Sequence, residues 1–206
     1  MSMRINIENI LQSPQEVFSE IIQKLTALNI ANAQRELRLE NTQIDEVLLD
    51  AIDMVLRDLN NEEGYISRLL YSIFGFELKR NKRRDQLIIL GSQLKAQCAN
   101  LKKDIFRIKN IIENIDSSIK NLNRLKEAFK SKQMFLYDQN MVEKSNLYIG
   151  VLVEKESELK EYKELLKEKS DMLSMKRGIY KKSLKKIPRY HELSEEIFLK
   201  LIESKR

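Results

Sequence analysis

Residues that make turns, bind metals or cross-link chains are scarce in this sequence. Its 206 residues include 5 Gly, 2 Pro, 1 Cys, 1 His and no Trp. Compact α/β enzymes need more Gly and Pro for their many turns, so the shortage indicates few and long elements. The 42% of hydrophobic residues argues against a disordered tail. An all-α fold is therefore predicted.

The same scarcity removes most kinds of catalytic and metal site. Cys98 and His191 are single residues of their types, so they supply neither a disulfide nor a paired Cys or His metal site. The glycines are scattered and form no phosphate-binding loop. The sequence predicts a protein that is not an enzyme, with no cofactor, metal or small-molecule substrate.

Targeting signals are also missing from the sequence. No stretch approaches the ~18 consecutive apolar residues of a membrane span. The N-terminus lacks the basic and apolar segments of a secretory signal. A cytoplasmic location is expected.

Charge divides the chain into two parts. Residues 1–78 contain 6 Lys/Arg and 13 Asp/Glu, whereas residues 79–206 contain 31 and 18. Such asymmetry indicates two modules with different surroundings. Residues 1–78 are predicted to form a small acidic helical head. The opposite charges also predict an attraction between head and coil, either within one molecule or between copies.

The predicted head contains about three short helices. Ser13 and Pro14 stand where a cap and a first helical residue are expected, so the first helix is predicted to begin there. A second start is predicted at Thr42, with Asp45 three residues later. Apolar residues at helical spacing predict a third helix over residues 65–74.

A strict seven-residue repeat dominates the rest of the chain. Because a repeat of seven keeps one apolar stripe against a partner helix, residues 79–191 are predicted to form a long basic coiled coil. A second series with the same period is weaker, because Glu156 and Ser170 interrupt its companion positions. The first series is Leu87, Leu94, Leu101, Ile108, Ile115, Leu122, Phe129 and Leu136, and the second is Leu152, Leu159, Leu166, Leu173, Tyr180 and Ile187.

The phase of the repeat is lost between Leu136 and Leu152. This loss favours a reversal of the chain near residues 138–150 and an antiparallel hairpin. The alternative is one uninterrupted rod that dimerises in parallel. Residues 192–206 are predicted to form a short C-terminal helix.

The expected reversal is apolar, although a turn in a coiled coil is normally polar. Residues 133–153 carry three charges, those of Asp138, Glu143 and Lys144. An exposed apolar patch of this kind is typical of a docking surface. The alternatives are a tip covered by the chain itself or by another copy, and a tip inserted into a membrane. The candidate partner-binding residues of the tip are Met134, Phe135, Tyr137, Met141, Tyr148 and Ile149.

Two basic clusters form a second candidate surface, the stem. Such cations suit an acidic protein surface, which is favoured, or an anionic membrane. They also suit nucleic-acid phosphates, with stacking on Tyr180 and Tyr190, although no base-reading motif is present. A solvated lysine-rich face is the remaining interpretation. The clusters are Lys79, Arg80, Lys82, Arg83 and Arg84, and then Lys176, Arg177, Lys181, Lys182, Lys185, Lys186 and Arg189.

Together these features predict a non-enzymatic coiled-coil interaction protein, such as an adaptor, a stalk or a subunit of a larger complex. It would bind partner proteins through its head and its apolar tip. One alternative is binding of nucleic acid or an anionic surface through the stem. Another is a self-assembling structural subunit, a homo-oligomer.

Overall fold

The computed structural model describes residues 7–62 and 77–187, and only the backbone of residues 59–62, 77–82 and 84. The described residues form five α-helices and no strand. The predicted helix over residues 65–74 and the predicted C-terminal helix over 192–206 lie outside the described residues. The helices are α1 (Ile7–Gln12), α2 (Gln15–Leu37), α3 (Glu46–Glu62), α4 (Glu77–Gln133) and α5 (Gln139–Lys185).

The two long helices, α4 and α5, pack against each other as a helical hairpin, so the predicted all-α hairpin fold is confirmed. Both seven-residue series lie at the contact. In α4 the series is buried from Leu87 to Phe129, and in α5 it is buried from Leu152 to Tyr180 and continues to the buried Ile187. Removing these side chains from water is the main force that holds the hairpin closed.

The chain reverses earlier than expected. Helix α4 ends at Gln133 and α5 begins at Gln139, so the turn covers residues 134–138 and shares only Asp138 with the predicted range 138–150. Asp138 caps the second helix, since its Oδ1 accepts a hydrogen bond from the Asn140 N–H at 2.9 Å. The low charge of the stretch that follows reflects a helix with buried positions rather than a long loop.

By their contacts the residues separate into two compact units. The tip unit combines the described residues up to Asn41 with Phe106–Asp171. The stem unit combines the described residues from Thr42 to Ile105 with those from Met172 onward. Each unit therefore contains both N-terminal residues and residues of the hairpin. The division at residue 78, which rests on charge, stays a prediction.

In the tip unit, α2 provides a third long helix beside the two arms. Its buried face includes Phe18, Ile22 and Ala33. This helix begins at Gln15 without a side-chain cap, and Ser13 instead closes α1, where its Oγ donates to the Asn9 carbonyl at 2.5 Å. The predicted Ser13 cap is therefore wrong, because the hydroxyl is used by the preceding helix.

In the stem unit, α3 packs through Leu48 and Ile52, its two buried apolar residues among those described. This helix begins at Glu46 rather than near Thr42. Asp45 is its cap, since Oδ1 accepts from the Leu48 N–H at 3.0 Å. None of the described helices is both long enough and apolar enough to cross a membrane.

Candidate interaction surfaces

The turn between α4 and α5 carries three large, exposed apolar side chains. Met134 is 84% exposed, Phe135 70% and Tyr137 fully exposed. The backbone beneath them is ordered by hydrogen bonds from the Phe135 N–H to the Lys132 carbonyl at 2.9 Å and from the Leu136 N–H to the Gln133 carbonyl at 3.2 Å. The structure thus places three of the six predicted tip residues at the surface of a short, well-defined turn.

Tyr148 is not part of this surface. Its ring is fully buried, stacked on Phe18 at 3.9 Å between centroids and in edge contact with Phe129 at 5.8 Å. Burial raises the pKa of its hydroxyl. The prediction of Tyr148 as a partner-binding residue is therefore wrong, because α2 supplies an aromatic cluster that the residue completes.

The remaining two predicted tip residues, Met141 and Ile149, are half-buried. Nearby, Lys144 binds the corner between α1 and α2 through its Nζ, which donates to the Leu11 carbonyl at 2.8 Å and the Ser13 carbonyl at 2.7 Å. Lys132 at the end of α4 pairs with Glu8 of α1. The chain's own N-terminal helices therefore cover the flanks of the tip and leave the turn itself uncovered.

Charge around the tip is balanced. Residues 127–149 contain three lysines and three acidic residues. The lysines are engaged: Lys130 pairs with Glu127 at 3.1 Å, and Lys132 and Lys144 hold α1. The turn is thus an apolar surface without an excess of either charge.

Part of the predicted stem cluster is used inside the molecule. Lys186 pairs with Asp53 of α3 at 2.9 and 3.1 Å, and Arg83 of α4 lies 3.6 Å from Asp58 of the same helix α3. Lys176 and Arg177 are half-buried, and burial lowers the pKa of Lys176. These contacts bring together the acidic and basic parts of the sequence, as the charge asymmetry led us to expect.

Three exposed stem lysines have no partner among the described residues. Lys181, Lys182 and Lys185 point to solvent and have no hydrogen bond or ion pair with any side chain that the structure describes. They lie on the last turns of α5. The side chains of Lys79, Arg80, Lys82 and Arg84, and the whole of Arg189, lie outside the described part of the structure.

The aromatic residue of the stem is buried. Tyr180 is 0% exposed, and its hydroxyl oxygen accepts the Asp45 N–H at 2.9 Å. Its pKa is raised by burial. The predicted stacking of nucleic-acid bases on Tyr180 is wrong, because the ring belongs to the hairpin core. Tyr190 lies outside the described residues.

An apolar groove of about 460 Å³ lies between α2 and α5 in the tip unit. Small side chains on α2 leave it open, and the Lys155–Glu158 pair at 2.7 Å stands at its rim. This groove was not predicted from the sequence. Alanines on a helix whose other apolar residues are large could have indicated it. Its α2 and α5 lining includes Phe18, Ile22, Ala27, Ile30, Leu147 and Val151.

Glu156 is a buried carboxylate within the hairpin. Lys126 donates to it at 2.6 Å, Lys160 approaches to 2.6 Å and Asn123 donates at 3.3 Å. The hydrogen bonds from the two lysines lower its pKa from 4.5 to about 2. A general acid needs a raised pKa, so this carboxylate is arranged to stay ionised and to hold the two arms together.

Comparison with known proteins adds no identity to these surfaces. The chain matches no family model, no curated protein and no solved structure.

Proposed function

We propose that this chain is a non-enzymatic coiled-coil interaction protein, an adaptor, stalk or assembly subunit that binds a partner protein through the turn of its hairpin. A single observation supports this function most strongly. The chain buries the heptad series along two helices of 57 and 47 residues, and at the turn between them it exposes three large apolar side chains close together, those of Met134, Phe135 and Tyr137.

The size of the exposed surface suits a modest, specific interaction. Fully burying one such side chain contributes roughly 1.5–3 kcal/mol, so the three together offer roughly 5–9 kcal/mol before the cost of association. Aromatic residues at the centre of a contact commonly dominate its free energy. Because hydrogen bonds already order the backbone of the turn, little conformational entropy is lost when a partner binds.

Balanced charge favours a protein partner over a membrane. Segments that insert at an anionic bilayer gain about 1 kcal/mol for each nearby cation. Here the lysines around the turn are engaged by Glu127, by Glu8 and by backbone carbonyls. An apolar pocket on another protein, rimmed by polar groups, suits the turn better than a lipid surface.

Replacing Met134, Phe135 and Tyr137 with Ser tests the proposal. Pull-downs from the native cytoplasm, read by mass spectrometry, should lose a protein that the unaltered chain retains. Circular dichroism and thermal melting should be unchanged, because these side chains contribute nothing to the core.

A matched control replaces three exposed apolar residues of the tip unit that are not in the turn, namely Leu28, Phe106 and Val153. This variant should retain the same partner. If both variants bind alike, the turn is not the docking surface.

The proposal also includes the cytoplasmic location and a second contact through the acidic residues 1–78, as the sequence predicts. Binding of an anionic polymer through the stem is the alternative, and the exposed Lys181, Lys182 and Lys185 favour it. Its signature would be affinity for RNA or DNA that falls steeply with salt.

A further inference from the structure

The outer face of α5 in the stem unit combines positive charge with an exposed apolar side chain. Lys181, Lys182 and Lys185 are exposed and meet no carboxylate among the described residues. On the same face, Met175 is 67% exposed. No acidic residue of α5 follows Asp171.

The outer face of α3, in the same unit, has the complementary composition. Glu46 and Asp50 are exposed and meet no cation among the residues that the structure describes. Beside them, Val47 is 81% exposed and Met54 59%. These residues lie on the side of α3 opposite the buried Leu48 and Ile52, and exposed apolar residues beside acidic ones are typical of a contact surface.

The spacings of the two faces match. Glu46 and Asp50 are four residues apart, as are Lys181 and Lys185, so each pair spans ~6 Å along its helix. Two ion pairs can therefore form at once between the helices. An antiparallel arrangement, with Glu46 beside Lys185, also brings Met54 within about one helical turn of Met175. A parallel arrangement would carry Met54 past the end of α5.

We propose that the chain self-associates, with the outer face of α3 in one copy packed against the outer face of α5 in another. The contact would combine the two sets of ion pairs with burial of the exposed Val47, Met54 and Met175. It does not depend on the turn at residues 134–138 or on any partner that binds there.

The molecule already contains the same kind of contact. Inside one chain, Asp53 of α3 binds Lys186 of α5 and Asp58 of α3 approaches Arg83 of α4. The residues of these pairs are partly exposed. Carboxylates of α3 and cations of the stem are thus chemically matched partners, and a second copy presents the remaining members of both sets.

A second copy fits this surface better than a nucleic acid. Phosphate backbones offer nothing to the exposed Met175, and the one aromatic ring of the described stem that would stack on bases, Tyr180, is buried. An opposing α3 face supplies both carboxylates and apolar area. Because that face belongs to the same chain, it is present at the same concentration as the lysines that it would bind.

Sedimentation velocity of the purified full chain tests the proposal directly. At about 50 mM salt the chain should sediment as a dimer or larger species, and at about 500 mM salt as a monomer, because exposed charges are screened within a few ångströms there. Reversing Lys181, Lys182 and Lys185 to Glu should weaken association roughly 10- to 100-fold. Reversing Glu46 and Asp50 to Lys should do the same.

Mixing the two variants provides the decisive experiment. A copy with Glu at residues 181, 182 and 185 has two acidic faces, and a copy with Lys at residues 46 and 50 has two basic faces. Each variant alone should be monomeric, while an equimolar mixture should associate. Restored association requires that the two faces meet, and loss of folding in either variant cannot produce it.

Two controls accompany the mixture. Reversing the exposed Lys102 and Lys103 of α4 to Glu changes a similar charge elsewhere in the stem unit and should leave association intact. The variant with Ser at 134, 135 and 137 should also still associate, which separates this contact from the tip. A chain that stays monomeric at low salt up to ~100 µM, or a mixture that stays monomeric, would overturn the proposal.

Discussion

At the scale of single residues, the role of a side chain depends on which helix packs against it. Tyr137 and Tyr148 both follow the first arm and look alike in the sequence. Tyr137 lies in the turn and is fully exposed, whereas Tyr148 is stacked on Phe18. Glu156 interrupts the heptad series, yet three neighbours satisfy it. The burial of Tyr148 and the pairing of Glu156 with Lys126 depend on neighbours distant in the chain.

Tyr148 contributes to stability through its ring and not through its hydroxyl. The hydroxyl oxygen is buried without a hydrogen-bond partner among the described residues. We expect Tyr148→Phe to leave the free energy of unfolding unchanged or slightly higher, because it removes an unsatisfied polar group. Tyr148→Ala should cost about 3–5 kcal/mol. Urea denaturation of both variants measures this, and a cost above about 1 kcal/mol for Phe would show that the hydroxyl is bonded after all.

Glu156 makes the stability of the hairpin depend on pH in a defined window. Its folded pKa of about 2 lies below the ordinary 4.5, so its ionised form stabilises the fold. That contribution is complete above pH 4.5 and is lost as the pH falls from 4.5 towards 2. It is on the order of 2–3 kcal/mol.

Glu156→Gln should therefore be less stable than the unaltered protein at pH 7, and the difference should shrink as the pH approaches 2. Urea denaturation at several pH values measures both. Glu158→Gln is the matched control, because its pair with Lys155 is partly exposed and should contribute little. If the difference in free energy of unfolding between Glu156→Gln and the unaltered protein stayed constant down to pH 2, the lowered pKa of Glu156 would be contradicted.

At the scale of elements, short polar side chains decide where the helices begin. Asp45 and Asp138 each accept a hydrogen bond from an N–H of the first helical turn. Other contacts hold helix ends: Lys169 donates to the Glu36 and Leu39 carbonyls at the end of α2, and Arg107 forms two hydrogen bonds with the Glu36 carboxylate, at 2.7 and 3.1 Å. A cation at a helix C-terminus is also favoured by the helix dipole.

The Asp138 cap sets the length of the turn that displays the tip residues. Asp138→Ala should lower the free energy of unfolding by about 1 kcal/mol, the usual cost of a lost N-cap, while Asp138→Asn should cost much less. Chemical denaturation measures the difference, and Gln139→Ala is a control one residue away. Equal stability of the Ala and Asn variants would mean that the cap does not matter here.

At the scale of the whole molecule, the hairpin explains why two unequal heptad series occur in one chain. The second series is poor in companion apolar positions, but it packs against the richer first series and against the N-terminal helices. The charge asymmetry has a matching explanation, since acids of α3 meet cations of the stem. The opposite net charges of the two parts of the sequence therefore partly neutralise each other in the fold.

A zero-length cross-link tests the antiparallel path. Lys163 Nζ lies 2.5 Å from Asp116 Oδ1, on opposite arms. Carbodiimide treatment should join these residues within a single chain, in the band of monomer mass, as peptide mapping would show. Mixed light and heavy isotopic chains serve as the control. A parallel dimeric rod would place these residues far apart and would not give this product.

The sequence by itself determined the helical class and the two heptad series, and it favoured a reversal over a parallel rod, because these depend on local periodicity and on the supply of turn residues. Met134, Phe135 and Tyr137, predicted from the sequence as tip residues, are exposed in the structure, and their role in partner binding stays a prediction. The helix starts and the position of the turn were misplaced by a few residues, because Ser13, Thr42 and Asp45 are all competent caps and only the packed structure selects among them.

Only the tertiary structure decided which side chains are free. Tyr148 stacks on Phe18, Tyr180 accepts a hydrogen bond from the Asp45 N–H, and Lys186 forms an ion pair with Asp53. Each of these pairs joins residues about 130 positions apart in the chain, and no local pattern contains them. Burial and ion pairing are properties of neighbours in space, so the fold decides which of the residues named from the sequence remain exposed, and it adds the outer faces of α3 and α5, which the sequence did not indicate.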